Sequence, residues 1–174
     1  VYVETTTLPL VTFRAGKFKL ALGKHNQLHT HAFPFIDAPL FQTAITGEEG
    51  LNSAAVSAST LIPLPWFSEL TLQGFSLGDD SLFGDSSTNP GTTTSESADR
   101  TGFLARYRNL WDLGDDATFE LGASGAEGAN AYGRRTTVYG ADATLKWRPA
   151  EGGKYHALIW NAEYLGANRL GRRD

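Results

Sequence analysis

From Thr136 to Arg148 the chain alternates with period two: Tyr139, Ala141, Ala143, Leu145 and Trp147 fall on one face, and Gly140, Asp142, Thr144, Lys146 and Arg148 on the other. A helix would scatter both sets around its circumference, so the pattern predicts a strand. The same theme predicts strands elsewhere. Phe119, Leu121 and Ala123 alternate with Thr118, Glu120, Gly122 and Ser124. Phe103, Ala105 and Tyr107 alternate with Arg106 and Arg108, and Leu70 and Leu72 with Glu69, Thr71 and Gln73. Residues 155–165 resume it less cleanly after the turn signal Pro149–Gly153, with Glu163 on the polar side. The Ala- and Ser-rich stretch 52–61 is a further strand, and Val1–Thr7 reads as the end of one turned at Leu8-Pro9. In residues 11–23 the polar phase passes from Thr12 and Arg14 to Lys17 and Lys19, a slip that predicts a bulge at Ala15-Gly16.

The connections sort by length. Pro9, residues 62–66, 110–116 and 149–153 are short; residues 24–50, 77–99 and 125–135 are long. Alternating short and long connections predict an all-β, antiparallel up-and-down transmembrane β-barrel or a partial segment of one, with long external loops. We treat residues 1–174 as a single barrel domain or a fragment of a larger barrel. The tract 77–99, rich in Ser, Thr and Asp, is expected to be a flexible external loop. Phe33-Pro34-Phe35, Ile36, Pro39, Leu40 and Phe41 are too apolar for a free loop, so residues 24–50 are expected to fold inward. Within them Phe33, Phe35, Asp37 and Phe41 are candidates for a channel constriction, and a helical turn is expected after Pro39.

Which face meets water decides the class. In a soluble barrel the apolar set would be core; in a membrane barrel it meets lipid and the charged set lines a wet lumen. Two features favour the membrane. Trp66, Phe67, Trp111, Trp147, Trp160 and Tyr164 lie at strand ends, the headgroup level that suits amphipathic rings. The apolar face is also rich in Ala, which would leave holes in a small closed core but none against lipid. The lumen candidates are then Arg14, Lys17, Lys19, Glu69, Arg106, Arg108, Glu120, Asp142, Lys146, Arg148 and Glu163. Opposed charges of this kind orient polar solutes and tune ion preference; cross-strand ion pairing alone would also explain them.

Composition adds exclusions. The 15 Lys+Arg against 19 Asp+Glu give a formal net charge of -4, without the concentrated basic face that a nucleic-acid partner requires. With no Cys, thiolate metal sites and thiol catalysis are out. No Gly-x-Ser-x-Gly elbow or phosphate-cradling loop occurs, and we expect no enzyme. His25, His29 and His31, with Asp37 following, could hold Zn²⁺ or Cu²⁺, although no single regular structure aligns all three. There is no Met and no opening signal segment, so we read the chain as a mature form or a fragment. No run of apolar residues is long enough for a membrane-crossing helix.

The stretch from Arg14-Ala15-Gly16-Lys17-Phe18-Lys19 through His29-Thr30-His31-Ala32-Phe33-Pro34-Phe35 to Asp37-Ala38-Pro39 resembles bacterial outer-membrane porin-like β-barrels. The Gly-Lys-Phe strand and its aromatic, Pro-containing loop resemble the phosphate-selective porins. The fuller His/Phe/Pro run, with Gly47–Leu51 behind it, resembles poorly characterised TonB-dependent-receptor-like outer-membrane proteins of Gram-negative bacteria. The resemblance continues through Leu64-Pro65-Trp66, Trp111-Asp112 and Lys146-Trp147-Arg148-Pro149. It implies an outer-membrane channel for small polar or charged solutes, with lipid and solute as partners and either an oligomer or the rest of the barrel beside it. No plug domain or energy-coupling box is seen. The alternatives are a soluble ligand-binding β-barrel, or an outer-membrane receptor or adhesin acting through its long loops.

Overall fold

A computed structural model describes residues 1–5, 7–28, 39–47, 50–77, 83, 101–130, 135–149 and 156–169. Eight strands follow in chain order: β1 (Tyr2–Glu4), β2 (Val11–Lys19), β3 (Asn52–Leu61), β4 (Phe67–Ser76), β5 (Thr101–Asp112), β6 (Ala117–Ala129), β7 (Arg135–Trp147) and β8 (Leu158–Arg169). A 3₁₀ turn (His25–Gln27) and a short helix α1 (Leu40–Thr46) lie between β2 and β3. The helix begins directly after Pro39, as expected, because the fixed φ of proline suits the entry to a helix. The strands form one antiparallel sheet in the order β1 to β8, each pairing with its sequence neighbours. β1 and β8 do not pair, so the sheet is an open up-and-down array.

The polarity is inverted relative to a soluble sandwich. On β7, Arg135, Thr137, Tyr139 and Ala141 are exposed, whereas Thr136, Val138, Gly140, Asp142 and Thr144 are buried. Tyr139 is 49% exposed and Asp142 2%. Register carries the phase across the sheet. Tyr107, Ala123, Ala141 and Tyr164 form one cross-strand row on the apolar face, and Ala105, Gly125, Tyr139 and Gly166 the next. Leu72, Val56 and Phe103 share this face and are 52%, 61% and 68% exposed. The opposite face is lined by Ser57, Thr71, Gln73, Arg106, Ser124, Asp142 and Thr144, all buried.

That inner face is graded along the strands. Toward the β2–β3 connection it is apolar: Phe18, Leu20, Leu22, Leu51, Phe75, Leu77, Phe83, Leu104, Val138 and Leu165 pack there, with Phe41 and Ile45 of α1 against them. Toward the β3–β4 and β5–β6 turns it is polar.

Three expectations are corrected. No bulge occurs at Ala15-Gly16, since β2 pairs with β3 residue for residue from Val11 to Lys19. The apparent slip arises because Phe18 points into the apolar end of the inner face while Lys17 projects outward at the rim, so Lys17 leaves the lumen set. The loops also sort less sharply by length. β6 and β7 run on to Ala129 and back from Arg135, leaving residues 130–134 as the connection, while β7 and β8 are separated by residues 148–157. The last strand begins at Leu158 rather than at residue 155. The expected loop 77–99 falls, apart from Leu77 and Phe83, outside the described residues.

Candidate functional site

The inner face carries a strap. After β2 the backbone crosses the sheet and is tied down at each step. Leu20 N–H donates to Leu51 O (2.9 Å) and Ala21 N–H to Gln73 Oε1 (2.8 Å). Asn26 fastens both flanks: its Nδ2 donates to Leu20 O (2.7 Å) and Leu51 O (3.1 Å), and its Oδ1 accepts from Leu51 N–H (2.7 Å). Gly23 N–H donates to Ser124 Oγ on β6 (2.9 Å). Gly23 adopts φ 64°, a left-handed conformation, and any Cβ there would overlap the Glu163 carboxylate.

Glu163 on β8 is the anchor. Its two oxygens accept from Lys24 N–H (3.0 Å) and His25 N–H (3.0 Å), and Oε2 also meets His25 Nδ1. Lys24 Nζ reaches Glu120 Oε1 on β6 (3.0 Å) and Thr144 Oγ1 on β7. The His25 ring packs edge-on against Phe41 of α1, with centroids 6.1 Å apart. A carboxylate taking backbone donors is a strong acceptor, each such bond being worth about 1.5–3 kcal/mol. Glu163→Gln is therefore expected to loosen the strap. Amide hydrogen exchange at Lys24 and His25 should accelerate at least about tenfold, while exchange at Leu70, on β4 far across the sheet from β8, stays unchanged.

A second fastening crosses three strands. Arg106 on β5 pairs with Asp142 on β7 over the intervening β6: Nη2 donates to Oδ1 (2.9 Å) and Nη1 lies 2.8 Å from Oδ2. The pair passes directly above Gly122, where a Cβ would come within 2.6 Å of both partners. Glycine at that position is what lets the two side chains meet.

Beside the strap, on the β2–β5 side, a polar cavity of about 270 Å³ remains open. Its charged lining comprises Glu4, Arg14, Lys19, Glu69, Arg106 and Arg108. Arg14 pairs with Glu4 (2.8 Å) and Arg108 with Glu69 (3.2 Å). Hydroxyls and amides fill the spaces between the charges: Thr12, Ser57, Ser59, Thr71, Gln27 and Gln73.

Of the residues nominated from sequence, Arg14, Glu69, Arg106, Arg108, Glu120, Asp142 and Glu163 come together on the inner face, and Lys19 borders the cavity. Lys146 and Arg148 stay exposed at the end of β7, where Arg148 N–H donates to Asp116 O (2.7 Å). Among the constriction candidates Phe41 packs half-buried on α1; Phe33, Phe35 and Asp37 lie outside the described residues. So do His29 and His31, while His25 meets the Glu163 carboxylate. No group of three or more potential metal ligands occurs among the described residues. Sequence reasoning passed over Glu4, Lys24 and the uncharged lining, Gln27 among it. Ser57, Ser59, Thr71 and Gln73 share the period-two phase of the nominated charges, and that phase was the available signal.

The outer face is complementary. Trp111, Phe119, Leu145 and Trp160 form a cross-strand row next to the β5–β6 turn. Trp111 stacks on Phe119 (5.9 Å) and lies 6.2 Å from Trp66, whose Nε1 donates to Asn109 Oδ1 (3.0 Å). From this row up to Ala105, Gly125, Tyr139 and Gly166, the outward positions of β5 to β8 carry no charge. An exposed ion pair, Arg135–Glu127, marks the other rim.

No model of a known protein family matches the chain, and no solved structure matches it. The porin-like resemblance therefore rests on the sequence motifs themselves. An uncharacterized protein of Aquifex aeolicus (strain VF5) is 25% identical over 178 residues, which cover 94% of this chain and 37% of that protein. The chain thus spans little more than a third of the relative's length.

Proposed function

We propose that this chain is part of the wall of an outer-membrane β-barrel channel that passes small polar or charged solutes through a charged lumen in a Gram-negative bacterium. The observation that carries the reading is the inverted sheet: Tyr139, Phe103 and Val56 face outward while Arg106 and Asp142 are buried. A fold that must live in water has no reason to place a buried ion pair inside and large apolar side chains outside. Lipid supplies that reason.

The dimensions fit. Along β5 the outer band runs from Trp111 to Phe103, about 26 Å of strand at ~3.3 Å per residue. Tilted by ~40°, as barrel strands are, it stands ~20 Å high, close to the ~25 Å apolar band of outer-membrane barrels. The aromatic row at its lower edge lies where a headgroup girdle would. The free edges of β1 and β8 expose unpaired backbone groups that hydrocarbon does not tolerate, so in a membrane they pair with further strands. A larger barrel, formed by the rest of a longer chain or by neighbouring copies, meets that need.

Reconstituting the full-length protein in planar bilayers provides the test. Discrete, ohmic conductance steps are expected. A preparation that stays monodisperse without detergent and gives no steps would contradict the reading.

A further inference from the structure

Resting on the channel reading, we infer that the cavity beside the strap is a binding site for a small hydroxylated organic anion: one carboxylate and several hydroxyls on a compact skeleton. The charge is the first argument. Four cations line the cavity, Arg14, Lys19, Arg106 and Arg108, against two carboxylates, Glu4 and Glu69. Asp142 neutralises Arg106 from behind, and three ion pairs result. Lys19 is left over, with no ion-pair partner among the described residues. Arg108 offers Glu69 one nitrogen at 3.2 Å, so much of its donor fork remains available. An anion entering this space meets a surplus positive charge whose field the walls of a narrow cavity do little to screen.

The uncharged lining is the second argument. Four hydroxyls and two amides stand between the charges, and each both donates and accepts. Part of that capacity is engaged within the lining, where Gln73 Oε1 accepts from Ala21 N–H, Ser57 Oγ from Gln73 Nε2, and Ser59 and Thr71 bond each other; an inorganic oxyanion accepts only and leaves the remaining acceptor capacity unused. Hydroxyl groups on the solute satisfy it. Volume is the third argument. A cavity of about 270 Å³ is roomy enough for one sugar-sized solute.

The test is block of chloride current through the reconstituted full-length protein. Gluconate is the probe, with sorbitol and inorganic phosphate as comparisons. Gluconate should reduce the current at concentrations where sorbitol and phosphate have at least about tenfold weaker effect. Lys19→Gln should raise the gluconate concentration for half-block about tenfold, the loss of about one charged contact. Lys17→Gln, which removes the same charge two residues away from a side chain that does not line the cavity, should leave block unchanged.

Channels that conduct but ignore gluconate overturn this inference and leave the channel reading intact. Absence of channels overturns the channel reading on which it rests. Equal block by sorbitol would exclude an anion site, and equal or stronger block by phosphate would exclude the organic, hydroxylated ligand. Equal loss of block in Lys17→Gln and Lys19→Gln would reduce the effect to overall surface charge and sink the proposed site.

Discussion

Ala141→Arg is expected to cost about 2–4 kcal/mol when the protein folds into phospholipid vesicles, the penalty for a cation near the midplane of a barrel's lipid face. Ala141 sits in the row Tyr107, Ala123, Ala141, Tyr164, in the middle of the uncharged band. It is exposed, so the change overpacks nothing. In water the same substitution at an exposed strand position would fall within about 0.5 kcal/mol. The two environments thus predict different magnitudes from one variant. Thr137→Arg, four residues along the same face and close to the rim ion pair, should cost about 0–1 kcal/mol. Urea titration of folding into vesicles measures both. A neutral Ala141→Arg would remove the lipid-facing assignment of the outer face.

The second large effect concerns the buried pair. Arg106→Met or Asp142→Leu alone should destabilise by about 3–5 kcal/mol, because each leaves an uncompensated charge whose partner is 4% or 2% exposed. The double variant should recover most of that loss, since an apolar pair of similar size needs no ionic partner. A double-mutant cycle in the same vesicle assay isolates the coupling. If the single variants cost under about 1 kcal/mol, Arg106 and Asp142 are well solvated, and the pair is a wet surface bridge rather than a cross-sheet fastening.

What could be read from sequence follows the physics of each segment. In β7 the two faces are sharply different, one buried and largely polar and the other exposed and largely uncharged, so alternation is complete and the strand was legible to within a residue or two. In β8 it was not. Leu158, Ile159 and Trp160 are all exposed on a strand with one free edge, where neither face is fully covered and no strict pattern is imposed. The phase of β2 misled for a different reason. Its inner face changes from polar at Arg14 to apolar at Phe18, because the strap and α1 fill that end, and a change of surroundings looks like a change of register.

The site was legible in part. Alternation led to Arg14, Glu69, Arg106, Arg108, Glu120, Asp142 and Glu163 on the inner face, but it missed Glu4 on the short β1 and also nominated Lys17 and Lys146, which are exposed. Lys24 and the role of Glu163 as an anchor were not, because the contacts Lys24–Glu120 and His25–Glu163 join residues far apart in the chain. Nothing local in either segment announces its partner. The surroundings of His25 were equally hidden: the strap turns it toward β8, where its ring meets the Glu163 carboxylate, while His29 and His31 lie outside the described residues.

The outward face of β7 is the part of the account on which the rest depends, and the absence of cysteine from the chain makes it directly measurable. Single cysteines at residues 137–146 can each carry a spin label in vesicles, and relaxation by oxygen and by a water-soluble nickel chelate can then be compared. Oxygen accessibility should peak at Tyr139, Ala141, Ala143 and Leu145 and fall at Gly140, Asp142 and Thr144, with period two and little nickel contact at the peaks. The reverse phase, or strong nickel accessibility at Tyr139 and Ala141, would place that face in water and contradict a membrane wall.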